Sequence, residues 1–280
     1  MPRLLVILSK ALVLGLVLSL ASFWPAQAAD RARLEAFLTV TGFDVALESI
    51  KLSAASAPEM LGLDTDAFGD DWTRLADDIF ETETLHDMAL DILEQTLSDD
   101  LLAHAAEFYA SDLGQRLVVA ENASHMMEDD TAKSAQGEAI VAQLVADGSD
   151  RLNSLNRMNA AIDTSGHGVR ALQEIQLRFL MAAAAAGVIE LRIDIEDLRG
   201  MMREQEGELR RAMQKSGLSG AAYTYRDFSD AEVLAYAKAL EHPDMKLVYE
   251  LMNAVQYEIM ANRFEKLAAR MADLHPGTEL

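Results

Sequence analysis

After Asp30, apolar residues recur three and four positions apart along almost the whole chain, the spacing that lines one face of a helix. β-Branched alternation, the mark of a half-buried strand, is absent. Leu101, Leu102, Ala105, Phe108 and Tyr109 make one such stripe. Leu247, Val248, Leu251, Met252, Val255, Ile259, Phe264, Leu267 and Met271 make a longer one, which predicts a helix of about 30 residues. Ile140, Val141, Leu144, Val145, Leu152, Leu155, Met158 and Ile162 predict a connecting helix with a bend near Gly148. Glycine, proline and small polar residues cluster at Pro58–Asp71, Thr164–Gly168 and Gly217–Tyr225, where loops are expected. The predicted fold class is an all-α, multi-helix bundle.

Two stretches, 98–123 and 229–254, read as diverged copies of one helix–turn–helix unit, 131 positions apart. Each opens on Ser-Asp, Ser98-Asp99 and Ser229-Asp230, with an apolar residue before it, Leu97 or Phe228. A serine there offers an oxygen to the free N–H groups of a helix's first turn. Glu232 completes a capping box with Ser229, and Leu97 with Leu102, like Phe228 with Val233, has the spacing of a hydrophobic staple. Thirteen residues on comes a second break, Ser111-Asp112 or His242-Pro243. Pro243 fits a first helical position, where its missing N–H costs nothing. Both copies then place Asn-Ala at matching points, Asn122-Ala123 and Asn253-Ala254. The expected organisation is a first helical lobe over 29–132, then a connecting helix and a second lobe over 133–280.

Composition adds a compartment. Arg3 and Lys10 precede an apolar run from Ala11 to Trp24, and Ala26-Gln27-Ala28 supplies the small residues of a cleavage site. That order predicts a cleaved secretory signal peptide over 1–28. The run of 14 residues is short of the ~20 a spanning helix needs, and with no cysteine the chain cannot be a bacterial lipoprotein. The expected location is the periplasm, with no transmembrane span after cleavage. The formal charge of −22 is lopsided: Ala29 to Asp150 holds 6 basic and 27 acidic residues. So acidic a chain repels phosphate backbones and anionic headgroups, which argues against nucleic-acid binding.

The run Phe108-Tyr109-Ala110-Ser111-Asp112-Leu113-Gly114, behind an acidic, serine-capped helix, resembles the family called domain of unknown function 2059. The family's run is aromatic-Tyr-x-Ser-Pro-x-Gly between two helices. Asp112 stands where the family has proline; the second copy has Pro243, but Leu240, His242 and Met245 replace tyrosine, serine and glycine. The resemblance implies a helical fold and a signal-peptide-bearing protein of a Gram-negative bacterium, in two tandem copies. It implies no activity.

Chemistry is sparse. Glu83 with His86, His104 with Glu107, and Glu121 with His125 are spaced to share a helical face. Glu-x-x-His on paired helices is how di-iron bundles hold metal, so these six are the candidate ligands of a metal-dependent enzyme or metal carrier. Acidic neighbours at that spacing are common in so acidic a chain, and no cofactor is predicted. Gly166-His167-Gly168-Val169-Arg170-Ala171 spells a dinucleotide fingerprint, but no strand precedes it. Asp64, Asp66, Asp70 and Asp71 lack the ligands of a calcium loop, since Phe68 and Leu75 take ligand positions. Ser98, Phe108, Tyr109, Ser111, Gly114, Ser229, Glu232 and Pro243 are read as structural, Tyr109 as a core ring with its hydroxyl bonded near the helix corner. The apolar run Phe179–Ile189 and the methionines are read as core. The predicted role is a non-enzymatic envelope binding or interaction module, for a protein partner or a small ligand. A hydrophobic-ligand carrier is a further alternative.

Overall fold

The computed structural model describes residues 30–63, 69–163 and 166–274; the expected leader, Asp64 and Asp66 lie outside them. Among the described residues there are helices and no strand. In chain order they are α1 (Arg31–Thr41), α2 (Phe43–Glu48), α3 (Ile50–Ala54), α4 (Ala57–Met60), α5 (Gly69–Ile79), α6 (Thr82–Thr96) and α7 (Asp99–Tyr109). Then come α8 (Asp112–His125), α9 (Asp130–Ala146), α10 (Asp150–Ile162), α11 (Gly168–Ala185), α12 (Ile195–Thr224), α13 (Asp230–Leu240) and α14 (Pro243–Met271).

Caps set the helix starts that matter most. Ser98 Oγ accepts the Leu101 N–H at α7, and Ser111 Oγ accepts the Gly114 N–H at α8. Ser229 and Glu232 close a reciprocal capping box at α13. His242 Nδ1 takes the Asp244 N–H at α14, with Pro243 in the first turn. The two hairpins, α7–α8 and α13–α14, therefore keep one register: Asp99 to Asp230 and Asp112 to Pro243 are both 131 positions.

Helix α14 is the spine of the molecule. It packs along α11 and also against α5, α6 and α7, so residues from both halves of the chain share one continuous apolar core. Fully buried Phe37, Leu85 and Leu93 from the first half belong to the same cluster as Phe179, Ile259 and Leu267 from the second. Helices α9 and α12 pair closely where a side chain at Gly137 would run into the backbone of Ser219. Arg151, only 8 % exposed, ties α10 to the loop between α12 and α13. Its guanidinium donates to the carbonyls of Tyr225 and Phe228 and to Asp230 Oδ1, at 2.5, 2.8 and 2.9 Å.

Several expectations from the sequence change, and of the methionines read as core, Met126 and Met201 are exposed. The connecting helix over 140–162 is two helices: α9 stops at Ala146, and Gly148, at φ +60°, turns the chain into α10. The loop expected over Gly217–Tyr225 is instead mostly the last turns of the 30-residue α12. Its small residues serve close packing rather than a turn. Ser219 and Ala222 are buried, and Gly217 lies against Asn159 of α10.

Candidate functional site

The two hairpins meet over a half-buried carboxyl group. On α8, Leu117 and Val118 lie in the core, and Glu121 follows them on the same face one turn later. Its Oε1 accepts the hydroxyl protons of Tyr225 and Tyr236, at 2.7 and 2.9 Å. Behind Tyr236 stands a triangle of hydroxyls: Tyr236 is 2.9 Å from Tyr109 and 3.0 Å from Tyr249, and Tyr109 also bonds Tyr249. Tyr109 ends α7, Tyr225 follows α12, Tyr236 is on α13 and Tyr249 on α14. Phe108 stacks on the Tyr236 ring, 5.7 Å between centroids with planes 5° apart, which holds the two hairpins face to face.

Burial drives the electrostatics. Removal from water pushes the Glu121 carboxyl up to about 7, although the Tyr225 and Tyr236 hydroxyls pull it down. Burial, helped by nearby negative charge, holds Tyr109, Tyr225, Tyr236 and Tyr249 above the usual phenol range, so all four keep their protons at neutral pH.

Beside this network lies a cavity of about 350 Å³. Phe37, Phe43, Met158, Ile162, Val248 and Met252 give it apolar walls. One oxygen of its lining carboxyl is unused. No hydrogen bond reaches Glu121 Oε2 among the described residues. Asn122 Oδ1 is buried with no partner, closed in on one side by Gly42, where an added Cβ would sit 2.5 Å from it. Asn253, the counterpart of Asn122 in the second hairpin, also lines the cavity and donates to the Ile162 carbonyl at 2.7 Å. His125 lies at the same cavity, its pKa lowered by burial and then by the Lys133 ammonium, which is held by the Ser124 carbonyl.

The six residues read as metal candidates are not gathered together. Glu121 and His125 line the cavity. Glu83 and Glu107 are exposed, and His86 Nε2 lies 3.2 Å from the Asp44 carbonyl oxygen. His104 joins residues of the other hairpin: with His242 and Asp244 it forms the group found among the described residues with ligand atoms within 4.8 Å of one another. Its ring stacks on His242 at 4.2 Å and 27°. Metal–nitrogen bonds lie in the imidazole plane, so near-parallel rings do not aim at one ion. His242 Nδ1 is also engaged by the Asp244 N–H. Tyr109 departs from its expected corner bond, which Gln115 Nε2 and Ser111 Oγ make instead, to the Tyr109 and Phe108 carbonyls. The Tyr109 hydroxyl crosses to the second hairpin. Tyr225, Tyr236, Tyr249 and Asn122 escaped sequence reading. The available signal was an acid, Glu121, one turn after Leu117 and Val118 on an apolar face, and tyrosines on core stripes whose hydroxyls need partners.

Fold and site thus define an all-α protein with a polar-floored cavity between two capped helical hairpins. Residues 83–143, from α6 into α9, match a family described as "Uncharacterized protein conserved in bacteria (DUF2059)", which bears out the resemblance for the first hairpin. The match brings in Tyr109 and Glu121 and stops short of Tyr225, Tyr236, Tyr249 and the whole second hairpin. No curated protein and no solved structure matches the chain.

Proposed function

We propose that this protein is a non-enzymatic binding module of the bacterial envelope, and that its ligand is a small molecule held in the cavity between the hairpins. One observation carries the reading: a cavity of about 350 Å³, half open to solvent, has apolar walls and is lined by the Glu121 carboxyl, whose Oε2 takes no hydrogen bond among the described residues. Apolar walls around a single polar group are the usual make-up of a small-molecule site. The volume suits a compact molecule whose apolar part rests on Phe37, Met158 and Met252.

The envelope location rests on the leader pattern of residues 1–28 and on the bacterial family match over 83–143. Among the described residues, no helix is long and apolar enough to cross a membrane. The second hairpin, by its shared register and caps, is read as a diverged copy of the first.

Native mass spectrometry tests the reading on full-length chain expressed with its own leader and recovered from the periplasm. Wild type is expected to carry a small organic mass. Gly220→Phe should lose it, because Gly220 lines the cavity with open space where its Cβ would be. The same bound mass on both proteins, or none on either, contradicts the proposal.

A further inference from the structure

The cavity's chemistry goes beyond the bare presence of a pocket and points to one class of ligand. This step rests on the reading above and deepens it. Glu121 is reached by hydrogen bonds from two neutral hydroxyls, with no ion pair to it among the described residues. The groups facing it are the phenols of Tyr225 and Tyr236, backed by Tyr109 and Tyr249. His125, one turn further along α8, is disfavoured as a cation by burial and by Lys133. Lys133 also lines the cavity, held by the Ser124 carbonyl, and the Glu121 carboxyl has no ion pair among the described residues. Such a group either keeps its proton or takes in a cation.

We propose that the cavity binds the ammonium end of an amine with an apolar body, and that Glu121 gives up its proton as the amine enters. The ammonium's N–H donors meet Glu121 Oε2, and an alkyl or aryl body fits the walls of Phe37, Phe43, Ile162 and Val248. The charge balance is simple. A protonated carboxyl and an ammonium ion become a carboxylate–ammonium pair, and one proton leaves for solvent. The chain itself favours cations, because the half that carries Glu121 holds 27 acidic residues against 6 basic ones from Ala29 to Asp150.

The decisive experiment is isothermal titration calorimetry on the full-length mature protein with n-hexylamine, and with 1-hexanol as the neutral analogue. Each runs at pH 6 in two buffers of different ionisation enthalpy. Hexylamine is expected to bind at least tenfold more tightly than hexanol and to release most of one proton per molecule bound. Hexanol should release none. E121Q, whose amide oxygen still accepts from Tyr225 and Tyr236, should lose the proton release and weaken hexylamine at least tenfold, with hexanol changed less than twofold. Proton release is read on wild type, so the outcome does not hang on the variant's folding. Hexylamine binding without proton release, hexanol binding as tightly as hexylamine, or no hexylamine binding overturns the amine assignment. If both probes bind equally and Gly220→Phe blocks both, the cavity reading stands while the amine assignment falls.

Discussion

Glu121 is where a single residue's chemistry reaches furthest. Burial pushes its carboxyl from the ordinary 4.5 up to about 7 in the folded protein. Below pH 4.5 both states are protonated and the residue is neutral toward folding. Between 4.5 and 7 the unfolded chain ionises while the folded one holds its proton, so stability falls as pH rises, and above 7 the full loss persists. A shift of that size corresponds to about 3 kcal/mol, an upper figure because part of the side chain still meets solvent. E121Q should therefore match wild type in urea unfolding at pH 4 and exceed it by about 2–3 kcal/mol at pH 8. Equal stabilities at pH 8 would mean that the carboxylate is not shut in. Gly114 carries a second prediction at this scale. A Cβ there would collide with the Phe108 carbonyl and lie 2.6 Å from Tyr109 Cα, and backbone cannot step aside. Gly114→Ala should cost about 1–3 kcal/mol in thermal unfolding, the range for overpacking a tight contact. It should also disturb Tyr109, so its effect on the cavity should exceed that of a distant substitution of equal cost.

Among the elements, the hairpin starts were open to reading because capping is local chemistry. Ser98, Ser111 and Ser229 announce α7, α8 and α13 within a few residues of sequence, and the apolar stripe of α14 announces its length. What escaped reading is non-local. Nothing within ten residues of Tyr249 says that its hydroxyl meets Tyr109, 140 positions away. Ser219 looks like part of a turn until α9 is laid against α12, where Gly137 meets its backbone and small residues are what close packing requires. The Glu83, His86, His104 and Glu107 pairs show the reverse error: helical spacing puts two side chains on one face without saying that the faces of different helices converge. Arg151 offers the element-scale test. Replacing it with leucine strips the Tyr225 and Phe228 carbonyls of their buried donor and unpins the start of α13. The expected cost is about 3 kcal/mol, in the range for leaving buried partners unpaired. Tyr225 is one of Glu121's two donors, so Arg151→Leu should also weaken hexylamine binding. Unchanged binding would show that the α12–α13 loop does not support the site.

At the scale of the whole molecule, α14 runs through a core shared by both halves of the chain, and the cavity lies where the two hairpins face each other across it. The site is thus a property of the assembled fold. Helix α8 supplies Glu121 and Asn122, and α13 and α14 bring two of the tyrosines that close around them. A fragment ending before α12 lacks Tyr225, Tyr236 and Tyr249 and should have no shifted carboxyl. The acid excess of the first half acts over longer distances: it raises the local concentration of cations at low salt, and hexylamine affinity should fall as ionic strength rises. Everything in this account depends on one partly buried carboxyl that has no ion pair among the described residues. The most direct measurement is therefore a carbon-13 NMR titration of the Glu121 side-chain carboxyl in the ligand-free protein, assigned by its absence in E121Q. The account predicts a midpoint about 7, moving down when hexylamine is added. A midpoint near 4.5, unmoved by the amine, would contradict it.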